Sequence, residues 1–221
     1  DVLSYTWEQI DLGTESFSPA SMVDAASRPL FRFVAPTSAP ERTLPSLPSL
    51  LTNTLAKGEA WPATNRELNF RLTARDGKGG VSSDDMKIQV VNTGKAFALT
   101  SPLVTPLVAG QTQTIDWDVA GTNAAPINCS KVDLYMTRDE GVNWTLLAGG
   151  QPNSGSASVT IPAGSDGTAR LKVACSDNLF FAISPLKLSV TQRVEGGGGG
   201  GGALGFWTLA LALLGWQRRR A

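Results

Sequence analysis

The sequence predicts an all-β protein made of two tandem β-sandwich domains, followed by a glycine linker and a short C-terminal membrane helix. Apolar residues alternate with polar ones along most of the chain, which is typical of half-buried strands, and no segment before the C-terminal tail carries a sustained helical stripe. Turn-forming residues are frequent, with 23 glycines and 13 prolines, while only 17% of residues are charged. An uncharged apolar run follows a run of glycines near the C-terminus.

Residues 1–93 are predicted to form the first sandwich. Leu3, Tyr5 and Trp7 share one face of a strand that starts at once, so we expect this domain to lack its opening strand. A long proline-containing span follows, in which we expect one short strand, Leu30 to Val34, and a helical turn near residues 49–55. Alternation then returns in two strands joined by a glycine-rich turn, a hairpin signal. The inward positions of this hairpin are Leu68, Phe70, Leu72, Ala74, Met86, Ile88 and Val90.

Residues 94–194 are predicted to form the second sandwich. Short alternating segments with frequent turns and one cysteine pair are typical of an immunoglobulin-like or fibronectin-like domain. The expected strands cover residues 96–101, 112–119, 131–137, 143–148, 157–161, 169–175 and 180–190. Cys129 and Cys175 are predicted to form a disulfide in an oxidising compartment. The bridge would close a loop of about 47 residues, worth roughly 4 kcal/mol in the chain-entropy model; the alternative is two buried thiols.

The residues exclude several kinds of chemistry. The chain has no histidine, so histidine-based nucleophilic triads and histidine zinc sites are excluded, and no catalytic residue or cofactor is expected within it. Positive and negative side chains are equal in number, 19 of each, and no basic patch precedes the terminal arginines, so nucleic acid is not an expected partner.

One turn motif stands out. The segment from Thr137 to Trp144 matches the Asp-box pattern, in which Asp139 would accept backbone hydrogen bonds, Gly141 would take a positive φ, and Trp144 would lie under the hairpin. Asp boxes recur in sialidase-type propellers, but a propeller needs many blades and only one copy of the motif is present. We therefore interpret it as a hairpin clamp.

Two groups of carboxylates offer a possible calcium site. They are Asp76 with Asp84 and Asp85, and Asp116 with Asp118. Carboxylates at strand ends can bind Ca²⁺ through oxygen ligands. No EF-hand spacing is present, and an Asx turn explains Asp76 without a metal.

The C-terminal tail, residues 195–221, has three parts. Glycines cannot pack a core and form a flexible tether. The apolar run Ala203 to Trp216 would span about 21 Å as a helix, short of the roughly 30 Å hydrocarbon core, so the bilayer would thin or the glycines would contribute. The arginines favour a cytoplasmic C-terminus. A buried terminal helix is the alternative. The tether and the basic end are Gly196, Gly197, Gly198, Gly199, Gly200, Gly201, Gly202, Arg218, Arg219 and Arg220.

This tail resembles the GlyGly-CTERM sorting signal of Gram-negative bacteria, which has the same three parts in the same order. The resemblance implies export through the type II secretion machinery, transient anchoring in the inner membrane, and removal of the tail by a rhombosortase-type protease. The mature protein would then be at the cell surface or extracellular. Because the chain opens on Asp1 without a signal peptide, we expect it to be a fragment.

The rest of the chain resembles the region after the catalytic domain of secreted bacterial reprolysin-like zinc metallopeptidases. The stretches that carry this resemblance are residues 3–9, 11–13, 29–32, 40–42, 69–76 and 115–122. The resemblance implies a non-catalytic accessory region, a spacer or a docking module for a protein substrate, with zinc in a catalytic domain upstream. The family's His-Glu-x-x-His motif is not present here, so no catalytic residue is transferred.

Two other functions stay open. The chain could be the stalk of a bacterial adhesin or a glycan-binding surface protein, or a glycosidase built on the Asp box. Sandwich repeats or a lectin domain upstream would favour the adhesin, and further Asp boxes would favour the glycosidase.

Overall fold

The computed structural model describes residues 2–13, 22–25, 28–102 and 106–192. This part of the chain is all-β with one short helix, which confirms the predicted class. The elements are β1 (Ser4–Gln9), α1 (Leu47–Thr52), β2 (Arg66–Arg75), β3 (Val81–Val90), β4 (Ala98–Ser101), β5 (Leu107–Val108), β6 (Thr112–Asp118), β7 (Lys131–Thr137), β8 (Thr145–Pro152), β9 (Ser156–Thr160), β10 (Asp166–Cys175), β11 (Phe181–Ile183) and β12 (Leu188–Thr191).

Strands β1, β2 and β3 form an antiparallel three-stranded sheet in that order, here called the N-terminal sheet. The predicted hairpin between β2 and β3 is present. Its turn is closed by Asp76, whose Oδ1 accepts hydrogen bonds from the N–H groups of Lys78 (2.8 Å) and Gly80 (2.9 Å). Gly77 and Gly79 have φ values of +72° and +108°, which only glycine adopts easily.

The N-terminal sheet buries one face against irregular chain. Leu68 and Phe70 form a core with Leu30, Phe31 and Ala60. No second sheet covers this face within the described part of residues 1–93, so the sheet differs there from the predicted sandwich. In β1 the most buried residue is Thr6, opposite the buried Thr73 of β2, whereas Leu3, which precedes the strand, is 43% exposed.

The predicted strand Leu30 to Val34 is absent, and this prediction was wrong. The N–H groups of Leu30 and Phe31 donate to Oε1 of Gln9, at 2.7 and 3.0 Å, and not to a neighbouring strand. A side chain therefore takes the backbone donors that a strand ladder would use.

A buried ion pair fixes another part of this irregular chain. Arg66 Nη1 and Asp24 Oδ1 are 2.7 Å apart, and the Asp24 side chain has no exposed area. Burial opposes ionisation of Asp24, but hydrogen bonds from Ala63, Arg66 and Thr64 outweigh it and hold its pKa below the usual value. Asp24 thereby ties residues 22–25 to the start of β2.

The rest of the described chain forms two sheets around one core. One sheet has the order β4-β6-β9, and the other, the six-stranded sheet, has the order β5-β12-β10-β7-β8 with β11 also paired to β10. Apolar side chains from both sheets enter the same cluster. Its largest fully buried members are Leu107, Ile115, Leu134, Ile161, Leu171 and Leu188.

The predicted strand over residues 180–190 is divided into β11 and β12. The break covers residues 184–187 and begins with Ser184 and Pro185. Ser184 keeps its contact with β10, since its N–H donates to the Leu171 carbonyl at 2.8 Å and its Oγ accepts from the Leu171 N–H at 3.1 Å. Pro185 has no N–H and cannot continue a ladder.

Candidate functional site

Helix α1 lies on the outer face of the six-stranded sheet, and Arg170 of β10 holds it there. Arg170 Nη2 donates to the carbonyl of Leu51 at 2.9 Å, while Nη1 donates to the carbonyls of Ser184 (2.9 Å) and Pro185 (3.2 Å). The Leu51 carbonyl is in the last turn of α1, where carbonyls lack partners within the helix. Arg170 is only 5% exposed. We call this contact the joint, because it connects α1, in the irregular chain between β1 and β2, to the six-stranded sheet.

The Asp-box hairpin forms the second half of the joint. Gly141 has a φ of +83°, and a β-carbon added to it would lie 2.9 Å from Leu47 of α1 and 3.3 Å from the Trp144 ring. The turn therefore needs glycine both for its backbone and for the close approach of α1. The neighbouring Glu140 lies 3.9 Å from Arg170 Nε and forms an ion pair with Lys187.

Asp139 closes the Asp-box turn. Its carboxylate accepts hydrogen bonds from the Asn143 N–H (2.8 Å), the Asn143 side chain (2.7 Å) and the Thr137 hydroxyl (2.7 Å). Thr137 Oγ1 accepts in turn from the Gly141 N–H at 3.0 Å. The bonds from Asn143 and Thr137 lower the pKa of Asp139 from 3.8 to about 2.

We expect the Asp139 carboxylate to make stability pH-dependent. Because its folded pKa is depressed, its contribution is present above about pH 4 and is lost as the pH falls towards about 2. The difference in melting temperature between the unaltered chain and Asp139→Ala should therefore shrink from about pH 5 to about pH 2, as measured by circular dichroism. A difference that stays constant over this range would contradict the assignment.

Trp144 belongs to an aromatic cluster next to the hairpin. The Lys172 ammonium lies 4.3 Å from the centre of the Trp144 ring, 4.6 Å from that of Tyr135 and 5.8 Å from that of Phe181. Burial lowers the pKa of Lys172, and the Glu41 carboxylate acts in the opposite direction. Three rings around one cation favour the charged form and fix the side chain on the sheet.

Cys129 and Cys175 form a disulfide with their Cα atoms 6.0 Å apart. Cys129 precedes β7, Cys175 ends β10, and these two strands are neighbours in the six-stranded sheet. The bridge therefore pins a loop to its own sheet. Asn153 supports the same loop, since its side chain donates to the Cys129 carbonyl (3.0 Å) and accepts from the Trp117 indole (2.8 Å).

Three of the five carboxylates proposed for calcium have cations or turn amides as partners within the protein. Asp85 pairs with Arg71 at 2.7 Å, and Asp118 lies 3.7 Å from Lys95. Asp76 accepts the turn amides already described. Within the described residues, three possible metal ligands lie close together in one place, at Cys129, Cys175 and Asp177. The sulfurs of the two cysteines are joined in the disulfide. Calcium binding stays a prediction.

An open apolar cleft of about 750 Å³ lies between the N-terminal sheet and the nearby end of the two-sheet region. The alternation of apolar and polar residues could not predict this cleft, because its two walls are distant in sequence. Residues from both walls include Trp7, Met86, Ile88, Phe97, Leu179 and Phe180. Phe97 and Phe180 stack edge to face with centroids 5.0 Å apart.

The sorting tail (Gly196 to Gly202, Ala203 to Trp216 and Arg218 to Arg220) lies outside the described residues. Among the residues that are described, no helix is long and apolar enough to cross a membrane.

No protein-family model matches this chain, and no curated protein matches it. Similar solved structures include a BSP domain of a biofilm associated protein, at 12% identity and a TM-score of 0.27 over 58% of this chain and 19% of the other. A second is SGBP-B of the Bacteroides ovatus mixed-linkage glucan utilization locus, in complex with a mixed-linkage heptasaccharide. The identity is 13% and the TM-score is 0.27, over 86% of this chain and 37% of the other.

A third is the three N-terminal domains of the Highly Immunogenic Outer Capsid protein of bacteriophage RB49. The identity is 12% and the TM-score is 0.20, over 86% of this chain and 56% of the other. The chain thus spans from about a fifth to just over half of these proteins. None of the three is described as a metallopeptidase. Similarity at this level carries no argument about function.

Proposed function

We propose that this chain is a non-catalytic spacer region of an exported protein, and that the parent is a secreted zinc metallopeptidase. The joint is the observation that supports a spacer. The buried Arg170 donates hydrogen bonds to carbonyl groups of α1 and of the turn after β11, and Leu47 of α1 packs closely on the turn at Gly141. A connection of this kind would hold the irregular chain between β1 and β2 in a fixed position on the six-stranded sheet, as a spacer of defined length requires.

We further infer that the two-sheet region is an immunoglobulin-like sandwich. Its strand orders, β4-β6-β9 and β5-β12-β10-β7-β8, match the A-B-E and A′-G-F-C-C′ sheets of that architecture. Strand β5 pairs in parallel with β12, as an A′ strand does with a G strand. The disulfide departs from the antibody pattern, since it joins the loop before the C position to the end of the F position in one sheet.

The parent's identity and destination follow from the resemblances alone. A catalytic domain with its own zinc would precede Asp1, and the GlyGly-CTERM-like tail would deliver the protein through type II secretion to the cell surface or medium. In this arrangement the chain itself needs no nucleophile or metal. That expectation agrees with the lack of any histidine in the sequence.

The test is a proteolysis assay on the purified full chain. We expect no cleavage of casein with or without added zinc, because the chain has no histidine to hold a catalytic zinc or to act as a base. A commercial zinc protease serves as the positive control, and a chelator shows which cleavage depends on the metal. Zinc-dependent cleavage by the full chain would contradict the proposal.

Reading the DNA upstream of the codon for Asp1 separates the proposal from its rival. A His-Glu-x-x-His helix there supports a metallopeptidase parent. Further sandwich repeats or a lectin domain would instead support the stalk of an adhesin or a glycan-binding surface protein.

A further inference from the structure

Among the described strands, none pairs with the outer edge of β3, and the register of the sheet shows which backbone groups of β3 point towards that edge. Tyr5 of β1 bonds through both its N–H and its carbonyl to Thr37, away from β2. Backbone groups alternate in direction along a strand, so those of Thr6 point towards Thr73 of β2, and those of Thr73 point back towards β1. The backbone groups of the even-numbered residues of β2 therefore point towards β3.

The alternation continues into β3. Phe70 is opposite Met86, so Met86 bonds to β2, while the backbone groups of Asp85 and Lys87 point away from the sheet. A side-chain contact agrees with this assignment, because the Asp85 N–H donates to Oδ1 of Asp84 at 3.0 Å. Within the described strands, β3 is hydrogen-bonded to β2 alone.

The side chains along this edge form a charge pattern that is complementary to itself. Asp85 and Lys87 share the outer face of the sheet and are 52% and 72% exposed. Asp85 pairs with Arg71, and Lys87 lies 3.4 Å from Glu67. Met86, between them, is half-buried on the opposite, apolar face and lines the cleft.

We propose that β3 pairs antiparallel with β3 of a second copy of this chain, about a two-fold axis at Met86. Asp85 would then face Lys87 of the second copy in a hydrogen-bonded pair, and the reciprocal pair would form on the other side of the axis. Arg71, Asp85 and Lys87 of the second copy would then alternate in sign across three neighbouring strands, and Glu67 of the second copy would lie diagonally next to that Lys87. The N-terminal sheets of the two copies would then join, through their β3 strands, into one continuous sheet that contains three strands from each copy.

The charges select this register over its neighbours. A shift of two residues in one direction places Asp85 opposite its own copy, and a shift in the other direction does the same for Lys87. Like charges directly opposite one another are destabilising. A shift of one residue is excluded because it would place outward-pointing backbone groups opposite inward-pointing ones. This inference does not depend on the proposed function.

Disulfide trapping in the full chain tests the axis. In the proposed pairing the two Met86 residues are a non-hydrogen-bonded pair with Cα atoms about 4.5 Å apart, which is within the range of a disulfide. Met86→Cys should therefore form a covalent dimer under mild oxidation, seen by non-reducing electrophoresis. Ser82→Cys is the matched control, because in this register it lies far from its own copy. Equal dimer yields from the two variants would overturn the proposal.

A charge exchange tests the register. Asp85→Lys and Lys87→Asp each place like charges across the axis, and each should weaken the dimer about tenfold, as measured by analytical ultracentrifugation. An equimolar mixture of the two variants should recover the original affinity, because every cross-strand pair is then opposite in sign. Failure of the mixture to associate more tightly than either variant, or a monomeric unaltered chain, would overturn the proposal.

Discussion

Replacement of Arg170 by alanine is expected to lower the free energy of unfolding by about 3 kcal/mol, because it leaves buried carbonyl groups without donors. The three acceptors are the carbonyls of Leu51, Ser184 and Pro185. The first belongs to α1 and the others to the turn between β11 and β12. The variant should therefore also release α1 from the six-stranded sheet.

Urea unfolding followed by fluorescence measures the stability change, and hydrogen exchange of residues 47–55 measures the release of α1. Arg71→Ala is a suitable control, since Arg71 is also an arginine in a central strand but is 45% exposed. Its loss should have little effect on stability. An Arg170→Ala variant as stable as the control, with unchanged exchange in α1, would show that Arg170 does not hold α1 on the six-stranded sheet.

Removal of the disulfide is expected to cost about 4 kcal/mol, since the bridge spans a sequence separation of 46 residues. The suitable variant is Cys129→Ala with Cys175→Ala, because both positions are buried and alanine adds no polar group. The lost constraint acts mainly on the unfolded chain, which gains loop entropy.

The melting temperature of the double variant, compared with that of the unaltered chain, gives the size of this effect. Treatment with a reducing agent should lower the melting temperature of the unaltered chain and leave that of the double variant unchanged. Intact mass of the untreated protein reports the state of the thiols. Free thiols, together with a melting temperature that does not respond to reduction, would contradict a disulfide at this position.

Much of the sheet structure could be predicted from the sequence, because alternation reports burial on one face. Leu68, Phe70, Ile115, Leu134 and Leu171 all occupy the inward positions that the pattern indicates. Where a predicted strand is absent or interrupted, a particular residue prevents the backbone hydrogen bonds between strands. Gln9 takes the amides of residues 30 and 31, and Pro185 interrupts the last strand.

The joint was harder to predict than the strands. The hydrogen bonds of Asp139 are local, so a short motif contains all the residues they need. The contact of Leu47 with Gly141 and that of Leu51 with Arg170 join residues far apart in the chain. Arg170 also alternates with core residues on its strand, and such a position is usually exposed. It is buried here because α1 and the turn after β11 lie against it.

The measurement that most directly tests the spacer is the distance between the two cores in solution. Spin labels at Ser82→Cys in β3 and Ser158→Cys in β9, two exposed positions, report it by pulsed electron paramagnetic resonance. Dilution into unlabelled chain removes distances between copies. We predict one narrow distance population for the chain with Arg170 intact, and a broader one for Arg170→Ala. A broad distribution with Arg170 intact would contradict a rigid joint.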